Sequence, residues 1–481
     1  MLTLLPWLLT FVMLAAAYPW AAWGLARAPR RSGLALTLCL TLALSSGALT
    51  QLMLWQSALS LPFDLWGIVL PYLLLMLPGW ALWRRERLPL PRLPRPQGAL
   101  AWTALVVCAL VSAAVLFNAV YWPFSREDTL GIYNRFGVWM YHYRTIAPLV
   151  SAATPYETYP PLVSLTYAYA YLASGWQNEY LARLFPALLS LGCLPAAYAL
   201  GRALDRPVAG WLGALLLALT PLFGVWASAG YVDLPMAFFH TLSAVFAWRL
   251  WQDNAPADAL LAGTALGLAA WTKNAALVGV LALCVWLGWG WFRRRIGLRQ
   301  ITLALLPLAF IAAPWYARSL LNAGMLIAPT VWADQAARTL ENLLVFVLFP
   351  DRFGVTGFLV TAGALASVTA LLRRAPDAAA HGLLLLWTAP YFVAWWLFAS
   401  YDPRFLLLFL PPLTIMAGLW LAHLWVLLPS PWQERAALPL ALLAVLLALP
   451  VAWNSVEHKN AILRDPLMSH AAKIEQVRGG S

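Results

Sequence analysis

Long apolar runs separated by short polar segments dominate the chain. The runs from Val208 to Trp226 and from Ala378 to Ala399 are broken only by isolated Gly, Pro, His and Thr residues. About 20 such residues are needed for a helix to cross the hydrocarbon core of a bilayer. The runs lack the alternation of a membrane β-strand, and a helix satisfies its own backbone hydrogen bonds in lipid. The pattern predicts an all-α, polytopic membrane helix bundle of about 13–14 transmembrane helices.

The predicted spans cover most of the chain. They run approximately over 2–26, 33–56, 63–83, 98–121, 178–201, 207–228, 232–251, 258–272, 275–292, 300–316, 355–372, 379–399, 404–426 and 436–453. The proline-rich basic stretch 88–97 separates the first three spans from the rest. We therefore predict a three-helix N-terminal membrane portion with a cytoplasmic linker (1–97), a large transmembrane domain (98–453) and a polar C-terminal tail (454–481), to which the sequence assigns no role.

Composition and charge indicate a membrane protein and argue against nucleic acid as a partner. Charged residues make up 10% of the chain, whereas a soluble domain carries about 25%. The formal net charge of +12 comes largely from arginines in short loops. Because cytoplasmic loops are enriched in Lys and Arg, these loops are predicted to face the cytoplasm, with the N-terminus outside and the protein in the plasma membrane. The clusters are Arg27, Arg30 and Arg31; Arg84, Arg85, Arg87, Arg92 and Arg95; Arg202 and Arg206; Arg293, Arg294, Arg295 and Arg299; and Arg373 and Arg374.

Cysteine and histidine give no sign of a disulfide or a metal centre. The four cysteines lie inside apolar runs without a CxxC pair, which is typical of small core residues. The six histidines show no metal-ligand spacing.

One long segment on the predicted outer face, 122–177, is too polar to span the membrane and too aromatic to be a free linker. The apolar spacing from Thr129 to Tyr141, which includes Tyr133, predicts a short amphipathic helix lying on the bilayer. The adjacent acids Glu127 and Asp128 precede this helix. The acidic pair either supplies a general base and a partner for a metal or a sugar hydroxyl, or caps the helix.

Four further charged residues fall at helix mouths on the same predicted face. Arg183 opens the fifth span, Asp233 the seventh and Arg404 the thirteenth, and Lys273 separates the eighth from the ninth. Helix capping, a snorkelling lysine and local ion pairs would explain them structurally. Alternatively, ionisable groups at such positions mark function, and the three cations form a pocket that stabilises a leaving phosphate.

The ordered series of motifs resembles the GT-C superfamily of lipid-dependent glycosyltransferases. It is most similar to the branch of protein O-mannosyltransferases and aminoarabinose lipid A transferases, which is glycosyltransferase family 39-like. Two departures are visible: the acidic pair has the order reversed from the family's usual one, and Tyr159 stands where the family often has His. The matching pieces, over about residues 98 to 420, are Glu127-Asp128, Tyr159-Pro160-Pro161-Leu162, Glu179 to Pro186, Leu219-Thr220-Pro221, Asp233-Leu234-Pro235, Gly267 to Lys273, Pro314-Trp315-Tyr316 and Arg404-Phe405.

The resemblance implies a GT-C-like bundle with interfacial helices in the first long outer loop. It also implies inverting transfer of a sugar from a polyprenyl-phosphate-linked donor in the bilayer to a glycan, lipid or protein acceptor on the extracytoplasmic face. It leaves room for a divalent metal ion and no other cofactor. The implied site residues are Asp128 or Glu127 as general base, Asp233 in support of the acceptor or a metal, Lys273, Arg183 and Arg404 on the lipid phosphate, and Tyr159, Glu157 and Tyr133 in substrate binding.

Two other classes of protein are compatible with many membrane spans. A transporter or flippase for a lipid-linked glycan would place its charges near the bilayer midplane and show related halves or broken helices. A lipid-bound scaffold would need no concentration of acids and bases on one face. The candidate charges here lie at helix mouths on a single side, which favours an interfacial enzyme.

Overall fold

The computed structural model describes residues 4–30, 32–88, 90, 96–146, 158–327 and 333–479, and these residues form helices with no strand. The helices are α1 (Leu4–Ala15), α2 (Tyr18–Ala26), α3 (Leu34–Ala58), α4 (Leu65–Arg85), α5 (Gly98–Tyr121), α6 (Arg135–Tyr143), α7 (Leu162–Ser174), α8 (Glu179–Leu191), α9 (Cys193–Ala203), α10 (Pro207–Ala218), α11 (Pro221–Ala227), α12 (Asp233–Asp253), α13 (Pro256–Thr272), α14 (Ala276–Phe292), α15 (Leu298–Ala323), α16 (Leu340–Leu343), α17 (Val345–Leu348), α18 (Pro350–Leu372), α19 (Ala378–Phe398), α20 (Leu410–Leu427), α21 (Ser430–Asn454), α22 (Lys459–Arg464) and α23 (His470–Arg478). A π-helix covers Thr129–Asn134, and 3-10 turns cover Ala333–Gln335 and Pro403–Phe409.

Every predicted span coincides with a helix or a pair of consecutive helices, so the all-α polytopic membrane bundle is confirmed. Among the described residues, ten helical segments are long and apolar enough to cross a membrane, and the bent pair α10–α11 makes an eleventh. The other three predicted spans are α12, α13 and α14. Both α13 and α14 have only 17 residues. The side chains of α12 are buried from Asp233 to Leu250, and a helix enclosed by protein does not need an apolar surface towards lipid.

The span predicted over 207–228 is broken rather than continuous. Helices α10 and α11 meet at an angle of 70°. Pro221 starts α11, where its missing N–H costs no hydrogen bond. The bend turns α11 across the end of the bundle and brings Trp226 to the candidate site.

The loops that carry the basic clusters meet at one end of the bundle. The guanidinium of Arg30 lies 3.1 Å from Asp205 and 2.9 Å from Asp253, and Arg27 lies 2.5 Å from Glu86. Asp253 is the last residue of α12. Because a helix rises about 1.5 Å per residue, Asp233, the first residue of α12, lies roughly 30 Å from this end. The grouping agrees with the single face inferred from the arginines, and the assignment of that face to the cytoplasm stays a prediction.

The outer segment forms helices that pack into the protein, and its first helix differs from the prediction. The chain from Thr129 turns first as a π-helix and then continues as α6. Tyr133 and Phe136 are buried, so this amphipathic element lies against other helices of the protein. Helix α7 is buried over Leu162 to Leu172. The prediction of helices in the first long outer loop is thus met by protein-covered helices.

Close contacts between the backbones of α13 and α15 fix the position of α13, the helix that precedes Lys273. A Cβ atom on Gly263 would overlap the carbonyl group of Ala304 on α15, so only glycine allows the two helices to pack at this distance. At the other end of the contact, the hydroxyl of Tyr316 donates to the carbonyl of Ala270 at 3.0 Å. These contacts hold α13 and α15 as one unit at the candidate site.

Candidate functional site at the helix mouths

Four predicted residues from distant parts of the chain meet at one end of the bundle. Asp233 is the first residue of α12, and Lys273 directly follows α13. Arg404 lies in the 3-10 turn before α20, where the Asp402 carboxylate accepts a hydrogen bond from its backbone N–H at 2.8 Å. Asp128 immediately precedes the π-helix. Each residue sits where a helix begins or ends, and the packing of those helices brings the side chains together.

Ion pairs connect all four side chains. Lys273 Nζ donates to Asp233 Oδ1. The Arg404 guanidinium lies 2.9 Å from Asp128 Oδ2, 3.6 Å from Asp233 Oδ2 and 3.3 Å from Asp402 Oδ2. The Asp233 side chain is 2% exposed, whereas that of Asp128 is 36% exposed. Asp128 therefore offers its carboxylate to an incoming molecule, while Asp233 holds the two cations from within.

Aromatic rings form the walls of this charged cluster. The Arg404 guanidinium carbon lies 4.4 Å from the ring centre of Tyr231 and 5.1 Å from that of Trp226. The ammonium of Lys273 lies 4.2 Å from the ring centre of Phe405. Cation–π contacts of this kind stabilise cations away from water. They also keep the charged groups in fixed positions before any substrate arrives.

Tyr231 ties the cluster to the acidic pair. Its hydroxyl oxygen accepts a hydrogen bond from the Asp128 backbone N–H at 3.2 Å. Burial and the nearby Asp128 carboxylate raise the pKa of Tyr231 to about 12. The preceding Gly230 has a φ of 81°, and its carbonyl accepts a hydrogen bond from Tyr167 at 2.6 Å. Glycine adopts this φ without strain, and the turn directs Tyr231 towards the cluster.

Two of the three predicted substrate-binding residues adjoin the cluster. The rings of Tyr133 and Tyr231 lie 5.9 Å apart in an edge-to-face arrangement. Burial raises the pKa of Tyr133 well above its usual value, and Asp233, Tyr159 and Asp128 raise it further through their charges. Tyr133 therefore lies near the carboxylates as a neutral hydroxyl group, and Tyr159 lies close enough to Tyr133 to interact with it electrostatically. Glu157 lies outside the described residues.

The two members of the acidic pair have different surroundings. Asp128 forms the ion pair with Arg404. The side chain of Glu127 is exposed, and within the described part of the chain it has no ion-pair partner. The geometry therefore favours Asp128 over Glu127 as the group that acts with the cluster.

Arg183 does not join this cluster as a phosphate ligand. Its side chain is fully buried, and its donors are used by the protein. They go to the backbone carbonyls of Trp122 at 3.1 Å and Pro123 at 2.8 Å, to that of Ser228, and to the Glu457 carboxylate at 2.9 Å. Arg183 forms no ion pair with the nearby Glu179, whose carboxylate pairs with Arg478 and accepts a hydrogen bond from the Phe124 N–H. Arg183 instead fixes the chain on both sides of the cluster.

The C-terminal tail supplies the counter-ion that sequence reasoning missed. Glu457 pairs with Arg183 and with Arg126, whose Nε lies 3.2 Å away, and accepts a hydrogen bond from Ser125 at 2.9 Å. Burial opposes the ionised form of Glu457, but Arg183 and Arg126 outweigh it and lower its pKa to about 2. The one available signal was an acid just beyond the last span, on the same face as the other candidate charges.

A second contact fastens the tail. Arg478 Nη2 lies 2.6 Å from Glu179 Oε2, and the same carboxylate oxygen accepts a hydrogen bond from the Phe124 backbone N–H at 2.9 Å. The tail is therefore bonded at both ends to the segment that leads into Asp128. The sequence left the role of the tail open, and in the described residues the tail holds this segment in place through Glu457 and Arg478.

The cluster is not the cationic pocket that the sequence suggested. Asp128, Asp233 and Asp402 carry three negative charges, and Lys273 and Arg404 carry two positive ones. The formal sum is negative, so long-range attraction does not draw a phosphate to this point. A phosphate at this point would depend on short hydrogen bonds, for which the ammonium has three donors and the guanidinium five.

The described side chains form no group of carboxylates, histidines or cysteines suited to a resident metal ion. Across the described ranges, no group of three or more His, Cys, Asp or Glu side chains is arranged to hold one. The carboxylates of the cluster face Lys273 and Arg404 instead, and these cations occupy the positions that a metal would neutralise.

Comparison with protein families gives a match over part of the chain. Residues 158–317 match the family model described as dolichyl-phosphate-mannose-protein mannosyltransferase. The matched part contains Asp233 and Lys273 but neither Asp128 nor Arg404. No curated protein sequence is significantly similar to the chain.

Solved structures share the fold. ArnT from Cupriavidus metallidurans in the apo state has a TM-score of 0.50 at 22% identity, covering 70% of this chain and 62% of ArnT. The same protein bound to undecaprenyl phosphate has a TM-score of 0.50 at 21% identity, and the match covers 76% of this chain and 73% of that chain. The Archaeoglobus fulgidus oligosaccharyltransferase in complex with Zn and sulfate has a TM-score of 0.50 at 16% identity, and the match covers 75% of this chain and 53% of the oligosaccharyltransferase.

At these identities the likeness establishes the fold alone, and the chain spans only 62% of the apo ArnT chain. Fold and family match nevertheless agree with the resemblance drawn from the motifs. The chain shares its membrane fold with ArnT and the archaeal oligosaccharyltransferase, and its residues 158–317 match the family model described as dolichyl-phosphate-mannose-protein mannosyltransferase.

Proposed function

We propose that this protein is an integral membrane glycosyltransferase that moves a sugar from a polyprenyl-phosphate-linked donor to an acceptor on the extracytoplasmic face. The observation that carries the proposal is the convergence of Asp128, Asp233, Lys273 and Arg404 at helix mouths at one end of the bundle. A carboxylate beside two cations is what glycosyl transfer from a phosphate requires. The fold and the family match support the same class of reaction.

In this proposal Asp128 is the general base. Its half-exposed carboxylate removes the proton from the acceptor group as that group attacks the anomeric carbon. The new glycosidic bond forms on the face opposite the phosphate, and the bond to the phosphate oxygen breaks, so the configuration inverts. Arg404 orients the carboxylate through its 2.9 Å contact.

Lys273 and Arg404 stabilise the leaving phosphate. Both remain tethered to Asp233, so their donors are already in place as charge develops on the leaving oxygen. Tyr133 contributes a neutral hydroxyl group beside the cluster, and Tyr159 lies near it. Holding one lipid and one acceptor at a shared surface supplies a large part of the acceleration.

Two further observations support the proposed donor and the proposed location of the site. A related fold is recorded with undecaprenyl phosphate in ArnT, which supports a lipid-phosphate donor here. The basic clusters at the opposite end of the bundle support a cytoplasmic position for that end, and so an extracytoplasmic position for the cluster. The acceptor is a glycan, lipid or protein.

The decisive experiment reconstitutes the protein with a labelled polyprenyl phosphate sugar. Asp128→Asn is expected to lower the rate of sugar transfer about 10²- to 10⁴-fold, the range for loss of a general base, and Lys273→Met to abolish transfer at comparable expression. Glu127→Gln tests the neighbouring acid and is expected to keep most of the rate. Glu434→Gln, an exposed acid at the other end of the bundle, is the control for loss of a carboxylate.

Equal rates for wild type, Asp128→Asn and Lys273→Met would contradict the assignment. One feature favours a second candidate, a transporter of the lipid-linked sugar, because broken helices such as α10–α11 occur in transporters. Movement of intact labelled lipid across the bilayer, without release of sugar to any acceptor, would support that candidate instead.

A further inference from the structure

A separate open cavity of about 760 Å³ with several charged residues in its lining lies beside the charged cluster. It lies between α11, the start of α18, the end of α21 and the tail. Trp226 belongs to its lining and connects the cavity to the cluster. The guanidinium carbons of Arg126, which lines the cavity, and Arg404, in the cluster, lie 5.2 Å and 5.1 Å from the Trp226 ring centre. The volume is within the range of pockets that hold small molecules.

The charges around the cavity are not balanced. Arg126 shares the Glu457 carboxylate with the buried Arg183, so these three residues carry one positive charge in excess. Lys459 donates to the amide oxygen of Asn454 at 2.7 Å and has no carboxylate partner among the described residues. The charged residues that line the cavity, with Arg352 and Asp351 included, thus carry one net positive charge, and the buried Arg183 behind Glu457 adds a second.

Arg352 adds an available donor to this field. Its nearest carboxylate oxygen, on Asp351, is 3.8 Å away, and the Asp351 side chain is 73% exposed, so the pair is weak in water. The Nε of Arg352 is buried without a hydrogen-bond partner, and a buried donor without a partner is costly unless a ligand satisfies it. A planar guanidinium is well suited to bind two oxygens of a phosphate.

We propose that this cavity binds the phosphate group of the acceptor, so that the acceptor is a phosphorylated sugar or a phosphate-bearing glycolipid. This inference rests on the proposed function and names its second substrate. A phosphate monoester carries close to two negative charges at neutral pH, which matches the excess in the cavity. In the proposed function the donor phosphate takes up the hydrogen-bond donors of the cluster, so the acceptor phosphate binds at a second site, apart from the reacting hydroxyl.

The position of the cavity suits this role. Its lining includes Ser125 and Arg126, which directly precede the acidic pair. An acceptor anchored by its phosphate to Arg352 and Lys459 extends past Trp226 towards Asp128. Binding energy from a remote phosphate then positions the hydroxyl that reacts.

Purified protein in detergent and in nanodiscs provides the test. In the soluble arm the probes are glucose 6-phosphate and, as the uncharged match, glucose. In the lipid arm they are nanodiscs containing phosphatidic acid or only phosphatidylcholine. We expect wild type to bind at least one phosphate-bearing probe in preference to its uncharged or zwitterionic match, with affinity that falls as salt is added.

Variants locate the site. Arg352→Met and Lys459→Met are each expected to weaken phosphate binding about tenfold or more, and Lys459→Arg to restore it because the charge returns. Arg464→Met removes an exposed tail cation that does not line the cavity and serves as the matched control. The same variants are expected to leave hydrolysis of the donor by water unchanged and to raise the KM for a phosphorylated acceptor.

The outcomes are distinguishable. The cavity assignment would be overturned if the protein bound glucose 6-phosphate no better than glucose and phosphatidic acid no better than phosphatidylcholine. It would also be overturned if Arg352→Met and Lys459→Met left the affinity for the phosphate-bearing probe unchanged. Phosphate binding that depends on these two residues, in a protein that never releases sugar from the donor, would support the cavity while contradicting the proposed function.

Discussion

Removal of the Glu457 carboxylate tests how the tail stabilises the protein. In the wild type this carboxylate neutralises Arg183, whose side chain is fully buried. Glu457→Gln keeps the shape and leaves that guanidinium without its counter-ion. Breaking a buried pair by removing one partner typically costs about 3–5 kcal/mol.

The pKa of Glu457 gives a second estimate. The value falls from the usual 4.5 to about 2, and one pKa unit corresponds to about 1.4 kcal/mol, so the pair contributes about 3 kcal/mol. Only 11% of the side chain is exposed, so screening by water removes little of this. The two estimates agree within their precision.

The sign of the pH dependence follows from the direction of this shift. A carboxylate with a lower pKa in the folded protein stabilises the fold above pH 4.5 and loses that contribution as the pH falls towards 2. We expect the free energy of unfolding in mixed micelles to decrease over this window in wild type. Glu457→Gln should be less stable at pH 7 and lack the contribution of this group to the decrease.

A double-mutant cycle with Arg183→Met separates the ion pair from other losses. The double variant is expected to lose less than the sum of the single variants by about 1–3 kcal/mol, because it contains no orphaned charge. Glu475→Gln, an exposed acid on α23, is the control for a charge change on the tail. Additive losses within about 0.5 kcal/mol, or a stable Glu457→Gln protein, would refute the reasoning.

Three further predictions concern the cluster and the opposite end. Asp402→Asn removes one negative charge beside Arg404 and should lower the KM for the lipid-phosphate donor about threefold. This factor corresponds to the Coulomb energy of about 0.7 kcal/mol between two charges roughly 6 Å apart in water. An unchanged or higher KM would count against a phosphate at this position. Gly230→Ala places a residue with a side chain at a φ of 81° and puts its Cβ 2.7 Å from Phe124, so the free energy of unfolding should fall by about 1–3 kcal/mol. The control is Gly175→Ala, where φ is also positive but no atom lies within 4 Å of the added Cβ. Asp258→Asn breaks the buried pair with Arg249, whose Nε lies 2.9 Å away, and should reduce thermal stability while the KM for donor stays the same; a changed KM would link that end of the bundle to the site.

The sequence by itself determined the membrane class and the positions of the helices. Apolar runs of about 20 residues admit one spanning structure, because lipid offers no partner for backbone groups. The structure places a helix at every predicted span, even for α12, which is too polar to qualify by hydropathy. The pattern could not reveal the break at Thr220, since a bent helix and a straight one have the same apolar composition.

The candidate site was determined only in part. Residue type and helix-mouth position singled out Asp128, Asp233, Lys273 and Arg404, and the fold brings these four into one cluster. Arg183 has the same type of position, yet the fold buries it in a structural network. A charge at a helix mouth is predictable from the sequence, but its partner depends on which segments pack beside it.

Tertiary structure alone decided the balance of charges. Glu457 lies 274 residues after Arg183 along the chain, and no local pattern links two residues so far apart. Its contact with Arg183 turns a predicted phosphate ligand into a support, while the aspartates around Lys273 and Arg404 make the cluster negative. Ion pairs depend on distances of a few ångströms, which the linear order of residues does not specify and the packing of helices does.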